Sequence, residues 1–119
     1  MRKLGSQAEA LAAAYLTKLG YKIIAQNINY RFGELDIVAR DKQILVFIEV
    51  KHRRSQTYGM PYEAVTRSKQ HKIILAAHAY LQKYPGKMPI CRFDVVSLVG
   101  DLKNPHIEHI SDAFLAEGL

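Results

Sequence analysis

The chain has 119 residues and a formal charge of +6. That length suits one domain, 1–119, with one core, and the positive excess favours a polyanionic partner such as nucleic acid. Cys91 is the only cysteine, which excludes an intrachain disulfide. No apolar run reaches the roughly 18 residues of a membrane span, and Gln7 and Glu9 interrupt any signal-peptide core, so a reducing, cytoplasmic location is expected.

Ser6 to Leu19 predicts the first helix, with Leu11, Ala12, Tyr15, Leu16 and Leu19 as its apolar stripe. Ser6 and Glu9 fit a capping box at its start, and Gly20 suits its end. Tyr21 to Ile28, Leu35 to Ala39 and Ile44 to Val50 read as three strands. The third is apolar on both faces, which predicts a central strand covered on both sides. Arg53 to Pro61 is a polar surface loop punctuated by Gly59 and Pro61. Tyr62 to Tyr84 is helical with a break near Thr66 to Ser68. Ile90 to Val99 is a fourth strand, His106 to Ile110 a short edge strand, and Asp112 to Leu119 a final helical turn or two. The order predicts an α/β domain, a mixed central sheet flanked by helices.

The most informative residues lie on the second and third strands. Gly33-Glu34-Leu35-Asp36 is followed, thirteen residues after Asp36, by Glu49-Val50-Lys51. A hairpin turning at Arg40 to Gln43 lays its strands about 5 Å apart, so Asp36 comes beside Glu49. Side chains two apart on a strand share a face, so Glu49 and Lys51 point the same way. Two carboxylates and a lysine at a strand end suit a hard divalent cation, Mg²⁺ or Mn²⁺. Asp36, Glu49 and the Val50 carbonyl are the candidate ligands, and Lys51 would orient or deprotonate water and offset phosphate charge. A structural ion-pair cluster uses the same residue types, so spacing alone leaves both readings open.

With Ala8-Glu9-Ala10-Leu11-Ala12, Phe32-Gly33-Glu34-Leu35-Asp36, Val46-Phe47-Ile48-Glu49-Val50-Lys51, Ser68-Lys69-Gln70 and Arg92-Phe93-Asp94-Val95-Val96 in order, the chain resembles the bacterial UPF0102 (YraN-like) family. It also resembles the wider PD-(D/E)xK nuclease superfamily, although Leu35 stands where that pattern has proline. The resemblance implies a restriction-endonuclease-like fold and a Mg²⁺- or Mn²⁺-dependent nuclease. DNA is implied over RNA, with branched or damaged DNA as candidate substrates by analogy with small junction resolvases. Those are dimers, so a homodimer is an expectation too. The resemblance also implies that a helix glutamine, here Gln70, points into the site, and that a first-helix glutamate, here Glu9, can reach the metal. Glu34 shares a face with Asp36 and is a further candidate ligand.

Arg31, His52, Arg53, Arg54, Arg67 and Lys69 are candidate nucleic-acid contacts. Tyr58 and Tyr62 are candidate stacking residues. The five histidines lack a zinc-site pattern, and Cys91 reads as a small core residue. The alternative to catalysis is a nucleic-acid-binding module without turnover, or a scaffold protein on the same fold.

Overall fold

The first helix begins before its capping signal. α1 spans Lys3–Lys18 in the computed structural model, which describes residues 3–55 and 65–116, with side chains from residue 6 onward. Ser6 is therefore inside the helix, and the predicted Ser6–Glu9 capping box does not form. Glu9 instead turns inward beside Ala8 and Ala12, which pack on the sheet. At the far end, Tyr21 N–H donates to the Leu16 carbonyl and Gly20 N–H to Thr17, at 3.0 Å each. This is a Schellman motif, and Gly20 supplies its left-handed residue with φ 99°.

Five strands follow: β1 Lys22–Tyr30, β2 Gly33–Asp41, β3 Ile44–Arg53, β4 Ile90–Val99 and β5 His106–Ile110, with α2, Arg67–Gln82, between β3 and β4. They form one sheet in the order β1-β2-β3-β4-β5. Only the β3–β4 pair is parallel, with Ile48 opposite Asp94 and Lys51 opposite Ser97. A parallel pair needs a crossover, and α2 lies within it. The domain is thus α/β with a mixed sheet, β3 at its centre and β5 at an edge.

The break expected near Thr66 to Ser68 is the start of α2. Thr66 is its N-cap, and its Oγ1 accepts from Lys69 N–H at 3.2 Å. Tyr58 and Tyr62, with most of the predicted loop, lie outside the described residues. The predicted final helix is absent over 111–116. Asp112 adopts φ 56°, and Ala113 N–H donates to the Phe93 carbonyl at 2.7 Å rather than along a helix. That turn presses Phe114 onto Phe93, ring centroids 5.0 Å apart.

The core has two layers. Ile37, Ala39, Val46, Ile48, Val96 and Leu98 meet α1 on one face. Leu35, Val38, Leu45, Phe47, Phe93 and Val95 meet α2 on the other. β3 alternates cleanly between them, but β2 does not. Leu35 and Val38, three residues apart, share the α2 layer, while Ile37 and Ala39 share the α1 layer. Strict alternation would put Leu35 with Ile37. The phase therefore slips by one residue around Asp36.

Candidate metal centre

Pairing between β2 and β3 runs from Asp41↔Ile44 to Ile37↔Ile48. The next rung would match Asp36 with Glu49. There the Asp36 side chain replaces the ladder: its Oδ2 accepts from Val50 N–H at 2.9 Å. The two strands part at this point, and carboxylates from three elements fill the gap. Glu9 of α1 and Glu34 and Asp36 of β2 each bring a carboxylate oxygen within 4.8 Å of the others. Glu49 of β3 adjoins Asp36 within hydrogen-bonding reach.

Glu9, Asp36 and Glu49 are only 5%, 6% and 4% exposed. Burial pushes the Asp36 carboxyl up to about 8, and the nearby charges of Glu49 and Glu9 push the same way against the Val50 hydrogen bond. At neutral pH Asp36 therefore holds a proton that an acid in water would have lost. Two cations partly balance the cluster. Lys51 Nζ lies 3.5 Å from Glu49 Oε2, and Lys69 Nζ, reaching across from α2, lies 3.7 Å from the same oxygen.

The predicted residues thus fall into distinct places. Asp36, Glu49 and Lys51 come together where the β2–β3 pairing ends, as the hairpin spacing predicts. Glu34 and Glu9 join them. Lys69, expected as a nucleic-acid contact, sits on Glu49. Gln70, expected to point into the site, donates instead to the Val65 carbonyl at 3.0 Å. It lines a shallow cavity of about 350 Å³ with Arg67, His71, Ile74 and Leu115. The physical reason is the helix start: the Val65 carbonyl precedes the cap and takes the glutamine amide one turn away.

The remaining basic residues do not form one stripe. His52 and Arg54 line a larger cavity, about 880 Å³, with Gln7 and Leu11 of α1 and Lys103. His52 Nε2 donates to the Gly100 carbonyl at 2.9 Å, and Gly100 N–H to the Arg53 carbonyl at 2.8 Å. Arg67 stands on the α2 side, and Arg31 is exposed on the β1–β2 turn.

One glycine fixes Glu34. A Cβ on Gly33 would sit 2.8 Å from the Lys72 carbonyl oxygen, a backbone atom of α2 that cannot swing aside. Gly33→Ala should cost about 1–3 kcal/mol through overpacking, and melting curves of the variant beside wild type check it.

A second buried charge cluster had little signal in the sequence. Asp94 is fully buried on the α1 face of β4. Its Oδ1 accepts from Arg92 Nε at 2.8 Å and Asp112 N–H at 3.0 Å, and its Oδ2 from Arg92 Nη2 at 3.0 Å and His109 Nε2 at 2.7 Å. Arg92 also reaches Tyr21 OH at 2.6 Å and Asp41 at 3.3 Å. Burial acts to raise the Asp94 carboxyl, but the hydrogen bonds from His109, Arg92 and Asp112 outweigh it and hold it below its usual range. This network joins β2, β4, β5 and the start of β1, and it is satisfied within the chain. The available clue was a same-face Arg92/Asp94 pair in a mostly apolar strand.

Fold and site together define a small α/β domain with a buried carboxylate cluster, flanked by lysines, where its central strands part. The model of the uncharacterised protein family UPF0102 matches residues 8–98, and the chain belongs to that family. A UPF0102 protein of Chlorobium phaeobacteroides (strain BS1) is 45% identical over 118 residues, covering 94% of each chain. One from Symbiobacterium thermophilum is 47% identical over 97 residues, 82% of each chain. One from Geobacter metallireducens is 47% identical over 113 residues, 95% of this chain and 93% of the other. Among the described residues, no helix is long and apolar enough to cross a membrane.

Proposed function

We propose that the protein hydrolyses phosphodiester bonds of DNA, with Mg²⁺ or Mn²⁺ held by the carboxylate cluster. The observation that carries this reading is the burial of Glu9, Asp36 and Glu49 together, with Glu34 at their edge. Burying like charges side by side costs free energy, and a hard divalent cation with oxygen ligands offsets that cost. The donor set suits such an ion: carboxylate oxygens of Glu9, Glu34 and Asp36 lie together, Glu49 adjoins Asp36, and the Val50 carbonyl is the further candidate ligand. When bound, such an ion neutralises phosphate charge and makes a water molecule easier to deprotonate.

The chain's own residues do the rest. The hydrogen bond from Val50 N–H fixes the Asp36 carboxyl in orientation, and its ionised form would be the one that holds the cation. Lys51 and Lys69 hold positive charge at the open edge of the cluster, where a phosphate would arrive. Lys51 orients the attacking water with its ammonium hydrogens or, once deprotonated, takes that water's proton at Nζ. Arg54 and Arg31 carry further positive charge, Arg54 in the α1-side cavity with His52 and Arg31 on the β1–β2 turn. Branched or damaged DNA, and a homodimer cutting two strands, remain part of this reading by analogy alone.

One observation favours a binding module without turnover: both lysines already pair with Glu49, as in a structural cluster. A panel of labelled linear, flapped, nicked and four-way DNA, with Mg²⁺ or Mn²⁺, separates the two. We expect metal-dependent cleavage, and a loss of about 100-fold or more in Lys51→Ala if that lysine moves the proton. Salt-dependent binding with no cleavage of any substrate would leave the binding module.

A further inference from the structure

The β1–β2 turn carries an aromatic ring that hydrolysis does not use. Phe32 is 43% exposed, although its ring stacks on Tyr30 with centroids 5.9 Å apart and planes only 4° from parallel. Tyr30 itself packs against the α2-side core. Phe32 is thus backed by a ring anchored in the protein, and its remaining surface meets solvent. Leaving that much aromatic surface wet forfeits burial free energy.

The turn is also held in place. Gly33 approaches the Lys72 backbone too closely for even a methyl group, so the platform is tied to α2. Glu34, two residues after Phe32, belongs to the carboxylate cluster. Arg31, the preceding residue, is exposed. A fixed aromatic face, a neighbouring guanidinium and a nearby acidic centre suit a ligand with planar faces joined by phosphates. A paired base spends both faces within the duplex stack, whereas an unpaired base can offer one to a side chain.

We infer that Tyr30 and Phe32 form a stacking platform for an unpaired nucleobase next to the cleaved phosphate, with Arg31 on an adjoining phosphate. Adjacency to cleavage rests on the hydrolytic reading; the stacking does not. The substrate class is therefore polynucleotide with a single-stranded segment at the site, rather than continuous duplex.

The test is binding by the full chain in millimolar Ca²⁺, followed by fluorescence anisotropy. The probes are a single strand, a flapped duplex and a blunt duplex of matched sequence. Wild type should prefer the first two. Phe32→Ala should weaken both by about tenfold or more and change blunt-duplex affinity by less than about twofold. Phe32→Leu, which keeps apolar cover over Tyr30 but lacks a ring, should behave like Phe32→Ala. Phe32→Trp should restore binding. A 2-aminopurine in the unpaired segment should be quenched by wild type and not by Phe32→Leu. No preference for unpaired strands, or equal losses on all three probes, would overturn the platform. Absent cleavage with Phe32-dependent binding would remove the hydrolytic reading alone. Normal cleavage with Phe32-independent binding would remove the platform alone.

Discussion

Asp94→Asn should destabilise the protein by about 3–5 kcal/mol, the usual cost of removing one partner from a buried ion pair. In a domain of this size that lowers the melting temperature by on the order of 15 °C. The substitution keeps the shape of the side chain but removes the charge that balances Arg92, and an amide cannot accept all four hydrogen bonds. The pH dependence has a defined sign. The folded carboxyl is held below the ordinary value of 3.8. Its stabilisation is therefore present above that value and is lost as pH falls through the folded one. Wild type should lose stability in acid more steeply than the variant. Urea titrations from pH 7 down to about 2 check this. Asp94 lies outside the carboxylate cluster, so whatever Asp94→Asn remains folded should keep its response to Mn²⁺.

Asp36→Asn should act in the opposite direction. The folded carboxyl keeps its proton up to about 8, against 3.8 in the unfolded chain. The folded state thus binds one more proton between those values, and stability falls as pH rises across that window. Asparagine mimics the protonated acid and keeps an oxygen for Val50 N–H. The variant should match wild type near pH 4 and exceed it by several degrees of melting temperature at pH 8. It should also lose the metal response. A ligand that binds only the folded state stabilises by about 2.7 kcal/mol at a hundredfold excess over Kd, so saturating Mn²⁺ should raise the wild-type melting temperature by on the order of 10 °C. Scanning fluorimetry at several pH values, with and without Mn²⁺, reads both effects. A destabilised Asp36→Asn, with a wild type indifferent to Mn²⁺, would identify the cluster as structural.

These two carboxylates also show what was legible in the amino-acid order. The β2–β3 hairpin, β4 and β5 follow from apolar runs and turn residues. The meeting of Asp36, Glu49 and Lys51 follows from hairpin arithmetic, because a short turn fixes register. Glu9 was harder. Its spacing from Ser6 satisfies a capping box, and only the longer α1 turns it inward. The one-residue slip around Asp36 is invisible to a period-two pattern, yet it accompanies the gathering of three carboxylates. Gln70 heads an apolar stripe, but the Val65 carbonyl one turn back captured its amide. Lys69 shows the same limit: its reach across to Glu49 depends on how closely α2 packs on the sheet. Asp94 lies in a mostly apolar strand, and the groups that bond it or its partner Arg92, namely His109, the Asp112 N–H, Tyr21 and Asp41, come from distant segments.

The proposed hydrolysis depends on the buried carboxylates holding a divalent cation. Calorimetric titration of Mn²⁺ into the wild-type protein at pH 7, in two buffers of different ionisation enthalpy, tests it most directly. The expected result is saturable binding with release of about one proton per ion, the proton held by Asp36, and loss of that binding in both Asp36→Asn and Glu9→Gln. The contradicting result is no saturable heat with millimolar Mn²⁺ in either buffer.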